Sequence, residues 1–338
     1  MRKNRFSFPS GHTDCYFNGR FSQLNELTDP ANTIVITDQH VYRYHRPLFA
    51  KWNTIVLRAG EEYKVQATVD ALIEQLVSLQ ADRTTTLVAV GGGVVTDLVG
   101  YTAAIYMRGV RFGFVPSTLL AMVDASVGGK NGVDCGVYKN LVGTIRQPSF
   151  LLYDVSLLNT LPMAEWQNGF AEIIKHAAIL DASMFAALEK RSLSYFRLHT
   201  KELVALVAKN VRIKMGVVQS DEHEQGNRKW LNFGHTLGHA LERQYELSHG
   251  QAISLGMMIA ARLSAHYLKF ADVSRLEALL VSYGLPIGAT YNFKKIISIV
   301  RMDKKKSGDR ISYVLLKKIG KASVLSLRFD ELEKQVAK

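Results

Sequence analysis

The sequence predicts a two-domain protein, with a Rossmann-like α/β domain over 1–161 followed by a mostly α-helical domain over 162–338. Three observations predict it. The chain has 338 residues, more than one hydrophobic core usually organises. Its first half alternates short β-branched runs with amphipathic stretches, the pattern of βαβ units around a parallel sheet. From about Pro162 the apolar period becomes helical.

The elements follow in order. Thr33-Ile-Val-Ile-Thr37 reads as a strand ending at Asp38, and Thr54-Ile-Val-Leu57 as another. Apolar residues at Val69, Leu72, Ile73, Leu76 and Leu79 predict a helix over 66–80. Thr86-Leu-Val-Ala-Val90 runs into Gly91-Gly92-Gly93, and an apolar helix is expected over 94–107. Past the boundary near Leu161-Pro162, helices are expected over 165–180, 181–193, 200–218, 233–245 and 252–271. The runs 311–316 and 322–327, separated around Gly320, read as a small hairpin. A cleft between two such domains is a common place for an active site.

Composition narrows the function. Charged residues make up 21% and hydrophobic residues 47%, ordinary for a globular enzyme. The net charge of +12 points to an anionic partner. Basic-plus-aromatic modules are lacking, which argues against nucleic acid. The basic N-terminus lacks an apolar signal core, and no run approaches the ~20 apolar residues that span a bilayer, so no membrane partner is expected. Two cysteines, Cys15 and Cys135, without a CxxC spacing suggest a reducing compartment. A cytoplasmic protein is expected.

Four segments carry chemistry. Gly91-Gly92-Gly93, between a strand and a helix, offers backbone N–H groups to a pyrophosphate, although Thr96 occupies the third glycine position of the dinucleotide fingerprint. A tight turn without a ligand would look the same. Asp38 suits a ribose hydroxyl or an ordinary helix cap. The stretch from Asp124 through Gly128-Gly129-Lys130, with Lys139-Asn140 after it, sets a carboxylate, two lysines and an amide on a flexible backbone. A surface loop with solvated lysines is the competing reading. Glu172, Lys175 and His176 share a helix face, as would a routine surface pair. Finally, His235 and His239 lie one turn apart, with His249 ten residues further on and glycines beside each. Spacing alone suggests His235 with His239 as a ligand pair, and Glu172 suits a Glu-plus-two-His metal set. Lys214, Arg228 and Asn232 flank this segment with anion-binding capacity.

Together the segments resemble the 3-dehydroquinate synthase family of sugar phosphate cyclases. The motifs are Gly91-Gly-Gly-Val-Val-Thr-Asp97, Tyr106-Met-Arg108-Gly-Val-Arg111, and Val115-Pro-Ser117-Thr118 through Asp124 to Lys130. Thr160-Leu-Pro through Glu172-Ile-Ile-Lys175-His176, and Arg228 through Asn232-Phe-Gly-His235-Thr-Leu-Gly-His239 with His249-Gly250, complete them. The resemblance covers about residues 38 to 316. It implies a usually homodimeric enzyme that binds NAD and a divalent metal, commonly zinc with cobalt possible. The implied reaction converts 3-deoxy-D-arabino-heptulosonate 7-phosphate into 3-dehydroquinate and phosphate. A ring alcohol is transiently oxidised, phosphate is eliminated, the hydride returns and an aldol step closes the ring.

By the same resemblance the metal ligands are Glu172, His235 and His249, and His239 becomes a proton-transfer residue beside them. Lys130, Lys175, Asn232 and Asp124 join His239 in catalysis. Arg108 (reaching a partner subunit's site), Asn140, Lys139, Lys214, Arg228 and Lys304 or Lys305 contact the sugar phosphate. Asp38, Glu61, Lys64, Gly92, Gly93, Asp97, Ser117, Thr118, Lys130, Lys139 and Thr160 hold NAD. Departures from the family pattern are Thr96 for Gly, Asn131 for Thr, Tyr138 for Gly, Ala164 for Arg and Gln251 for Glu. Competing readings are a 2-deoxy-scyllo-inosose or valiolone synthase, a metal-dependent polyol dehydrogenase, and a non-catalytic dinucleotide-binding protein. Asn232 and His239 favour dehydroquinate synthase over the valiolone type.

Overall fold

The β-branched runs build one twisted sheet. The computed structural model describes residues 1–136, 138–303 and 308–336. The chain divides into two compact units, Met1–Glu165 with Thr200–Glu222 and Trp166–His199 with His223–Lys338. The excursion over 200–222 has no counterpart in a single cut near Pro162.

In the first unit the strands are β1 (Arg2–Phe8), β2 (Gly11–Phe17), β3 (Thr33–Asp38), β4 (Asn53–Leu57), β5 (Thr86–Gly91), β6 (Arg111–Pro116), β7 (Lys130–Cys135), β8 (Tyr138–Ile145) and β9 (Phe150–Leu152). Among the described residues, seven form a sheet in the order β1-β2-β9-β6-β5-β3-β4. It is parallel from β2 to β4, and only the β1–β2 hairpin runs antiparallel. β7 and β8 form a separate antiparallel pair. The helices here are α1 (Gln39–His45), α2 (Gln66–Ser78), α3 (Gly93–Ile105) and the later segment Thr200–Ser220.

Every residue of β5 is buried, as expected of a strand covered on both faces. Phe21, Val35, Phe49, Val88, Val115 and Phe150 belong to one core cluster, each such side chain contributing ~1.5–3 kcal/mol on burial. The β1–β2 hairpin lies outside the sequence expectation. Its first strand, Arg2-Lys-Asn-Arg-Phe-Ser-Phe8, buries only Phe6 and Phe8, so the alternation is too short to read.

The second unit contains α4 (Met163–Leu180), α5 (Ala182–Glu189) and α6 (Leu193–Leu198). The Thr200–Ser220 segment is α7, and then come α8 (His235–Tyr245), α9 (His249–Leu268), α10 (Val273–Ser282) and α11 (Phe293–Asp303). The hairpin β10 (Arg310–Lys318) and β11 (Lys321–Arg328) turns at Gly320 (φ 81°), and α12 (Phe329–Val336) follows. Among the described residues no helix is long and apolar enough to cross a membrane.

Several expected bounds move for local reasons. The helix expected over 181–193 is two, because Ser192 caps a new start by accepting from the Tyr195 N–H at 3.2 Å. The helix expected from Ala252 begins at His249, where Ser248 and Gln251 form a reciprocal capping box. The helix expected from Phe233 begins at His235, after Gly234 in the left-handed region (φ 80°). α3 stops at Ile105, before Met107 and Arg108 at φ 49° and 67°.

Candidate active site

Close approach of α8 and α9 creates the histidine cluster. Gly234 adopts positive φ, and a Cβ there would lie 2.9 Å from the Ile253 carbonyl oxygen of α9. A Cβ on Gly256 would lie 1.9 Å from the Gly234 carbonyl oxygen. Glycine at both positions lets the two helices meet. His235 and His249 are each the first residue of their helix.

α4 supplies the carboxylate. The Asn168 side chain accepts from the Gly250 N–H at 2.9 Å and ties the start of α9 to α4. One turn further along α4, Glu172 is fully buried. Its Oε1 lies 3.2 Å from His249 Nε2 and 3.4 Å from His235 Nε2. Its Oε2 is ion-paired with Lys175, which is 1% exposed. The Phe233 carbonyl can only accept, so His235 donates to it from Nδ1 at 3.2 Å and turns its Nε2 lone pair toward Glu172. Glu242 Oε2 lies 3.8 Å from His249 Nδ1.

The electrostatics match a cation site. Burial and the Lys175 cation hold His235 well below the usual histidine range. Burial also acts to lower His249, but Glu172 and Glu242 outweigh it and push it up to about 9. The donor atoms of Glu172, His235 and His249 all lie within 4.8 Å of one another. One carboxylate oxygen and two imidazole nitrogens are donor types suited to zinc or cobalt, so the residues present fit a divalent metal. His239 is not one of the three. It is exposed, with its ring edge-on to His235 at 5.0 Å between centroids. The geometry thus groups His235 with His249, as the family resemblance implies, where spacing alone pairs His235 with His239. Asn232 donates to Glu224 Oε1 at 2.6 Å, and Arg228 is 2% exposed in the same 3-10 turn.

The first unit gathers a second group. β5 delivers Gly91 and α3 begins at Gly93, so Gly92 caps the helix. Ser117 N–H donates to the Gly91 carbonyl at 2.9 Å, and a Cβ on Gly92 would lie 3.1 Å from the Thr118 side chain. Thr96 is buried in the first turn, its hydroxyl donating to the Gly93 carbonyl at 3.0 Å.

Lys64, 5% exposed, is ion-paired with Asp97 and donates to Asn140 Oδ1 at 2.6 Å. Lys139 lies 3.7 Å from Glu61. Burial raises the Asp97 carboxyl to about 6 against the opposing pull of Lys64. Lys214 bonds both the carbonyl (2.7 Å) and the carboxylate (2.8 Å) of Asp124.

Other expected residues stand apart from these groups. Asp38 caps α1, accepting from His40 and Val41 N–H groups at 2.8 and 2.9 Å. Thr160 meets His45 at 3.0 Å. Lys130 and Arg108 are exposed. Lys304 and Lys305 lie outside the described residues. Asn131 packs structurally, its amide donating to the Gly129 and Arg146 carbonyls at 2.8 and 3.0 Å.

Glu242, Asn168 and Glu224 were not singled out from the sequence. Glu242 had a readable signal: it follows His235 by seven residues on the same helix face.

Residues 54–168 match the model of the 3-dehydroquinate synthase N-terminal family and residues 169–306 that of the C-terminal family. A 3-dehydroquinate synthase of Pelobacter propionicus is 36% identical over 335 residues, covering 96% of this chain and 92% of that protein. A crystal structure of 2-deoxy-scyllo-inosose synthase complexed with carbaglucose-6-phosphate, NAD+ and Co2+ superposes with a TM-score of 0.87. Its identity is 26%, covering 99% of each chain. The 2-epi-5-epi-valiolone synthase of Streptomyces hygroscopicus subsp. jinggangensis 5008 shares the fold at a TM-score of 0.85. Its identity is 24%, covering 100% of this chain and 98% of that one.

Proposed function

Because this chain belongs to the 3-dehydroquinate synthase family, we propose that it converts 3-deoxy-D-arabino-heptulosonate 7-phosphate into 3-dehydroquinate and phosphate, with NAD and a divalent metal as cofactors. The observation that carries this reading is the convergence of Glu172 Oε1 on the Nε2 atoms of His235 and His249. The related 2-deoxy-scyllo-inosose synthase complex with NAD+ and Co2+ supports the cofactor choice. When bound, NAD supplies a hydride acceptor that is restored within the turnover, and the metal supplies Lewis-acid polarisation of a substrate oxygen.

The chain's own groups do the rest. Glu172, His235 and His249 hold the metal. The Phe233 carbonyl fixes the His235 tautomer, and Glu242 stands behind His249, the usual outer support of a metal-bound imidazole. Lys175 balances the second oxygen of Glu172 and keeps it aimed. His239, beside His235 without joining the cluster, moves a proton at the substrate. Arg228 and Asn232 bind its anionic groups, as do Lys214 with Asp124, Lys130, and Lys139 with Asn140. Gly92, Gly93, Ser117 and Thr118 suit the cofactor pyrophosphate through backbone N–H groups, with Asp38, Glu61, Lys64, Asp97 and Thr160 as further NAD contacts. A homodimer is inferred, with Arg108 of one copy serving the other. The free thiols Cys15 and Cys135 accord with a cytoplasmic location.

Purified protein with NAD and zinc is expected to release inorganic phosphate from the heptulosonate phosphate without net NADH. Release only from a hexose or sedoheptulose phosphate would instead assign a sister cyclase. The similarity to 2-deoxy-scyllo-inosose synthase favours that second reading, and the higher identity to a dehydroquinate synthase outweighs it.

A further inference from the structure

A third concentration of charge lies in the second unit, apart from the metal cluster. A pocket of about 510 Å³ opens between the turn preceding Trp230 and the β10–β11 hairpin. Lys229, Lys317 and Lys321 line it, together with Trp230, Ser323 and Asn227. Among the described residues that line it there is no carboxylate. Among the described residues none of the three ammonium groups is held in an ion pair. Glu172, Lys175, Arg228, Asn232, His235, His239 and His249 do not line it, so it is separate from the proposed metal and substrate residues.

Three like charges around one concavity repel one another unless a counter-anion joins them. Lysine suits such a guest because its ammonium is a compact point charge with three donors. Ser323 and Asn227 add neutral hydrogen-bonding groups, and Trp230 adds an apolar wall. A monovalent ion would leave most of the charge unbalanced.

We propose that this pocket binds a small multivalent anion bearing phosphate or carboxylate groups, and that its occupancy is felt at the substrate site. Lys229 and Trp230 belong to the six-residue 3-10 helix Asn227–Asn232, which also carries Arg228 and Asn232. A short helix gripped at two of its residues moves as a body. The coupling therefore rests on reading Arg228 and Asn232 as substrate contacts, whereas the binding site does not.

The test is calorimetric titration of the full chain with inorganic pyrophosphate and, separately, with citrate, at about 0.1 M salt so that weak surface pairing is screened. Wild type is compared with a triple variant, Lys229→Gln, Lys317→Gln and Lys321→Gln. A double variant, Lys317→Gln with Lys321→Gln, stands in should the triple variant not fold, since both side chains are exposed. Wild type is expected to show one binding event that the variant lacks or shows at least tenfold weaker. A response to pyrophosphate alone assigns phosphate chemistry, and to citrate alone carboxylate chemistry. Identical isotherms for wild type and variant overturn the site. For the coupling, the anion that binds is expected to shift the KM for the sugar phosphate in wild type but not in the variant, and equal shifts overturn it. Absence of any turnover would count against the proposed reaction while leaving the binding comparison intact.

Discussion

The three histidines differ in their surroundings, and the roles proposed for them follow from that. His235 and His249 each direct Nε2 at Glu172 Oε1, whereas His239 stays exposed at the edge of His235. His235→Ala is therefore expected to abolish stoichiometric metal binding. His239→Ala is expected to keep the metal and lower kcat by about 10²–10⁴-fold, the usual contribution of a proton-transfer residue. Elemental analysis of the purified variants, set beside their turnover, decides this. Equal metal content in wild type and His235→Ala would refute the ligand assignment. The three histidines and Glu172 were legible as a group in the sequence. Spacing alone did not divide them into ligand and neighbour, because i, i+4 places His235 and His239 together without saying which faces the carboxylate; the family resemblance supplied that division.

At the scale of elements, helix contact decides the cluster. A methyl group on Gly256 would meet the Gly234 carbonyl oxygen, so Gly256→Ala must push α9 away from α8. The expected cost is about 1–3 kcal/mol of stability, as for overpacking generally, with weakened metal affinity because His235 and His249 part. Thermal unfolding and zinc titration report the two effects, and an unchanged melting temperature would contradict the close approach.

The β1–β2 hairpin is stabilised differently. Arg5 and Lys3 hold Asp14 down at about 2, below its ordinary value near 4. A depressed carboxyl contributes stability that is present above pH ~4 and is lost as the pH falls through ~2. Because both partners are half-exposed, Asp14→Asn is expected to cost only about 1 kcal/mol at neutral pH. That difference should shrink between pH 4 and 2 in denaturant melts, and a pH-independent difference would refute the pairing. The sequence hid this hairpin because five of the seven residues of its first strand are polar.

At the scale of the whole molecule, the excess of twelve positive charges is not spread uniformly over the roles the structure offers. Lys175 is paired with the buried Glu172, Lys64 with the part-buried Asp97 and Lys214 with Asp124, and three lysines surround a separate pocket. Composition pointed to an anionic partner but could not divide the lysines among these uses, since charge counts carry no geometry. The sequence alone encodes what is local and periodic. It specified β3, β4 and β5, the glycine turn before α3, the helical second half and the hairpin at Gly320, because each is encoded by spacing and turn chemistry within a few residues. Tertiary packing settled what depends on distant segments meeting. It set the seven-strand order, returned α7 to the first unit, and brought Lys64 to Asp97 and Asn140. It also set Glu172 Oε1 near the Nε2 atoms of both His235 and His249, the grouping that the family resemblance implies and spacing alone misses. Those distances follow from α8 and α9 touching through glycine and from Asn168 of α4 holding the start of α9, contacts that no local pattern contains.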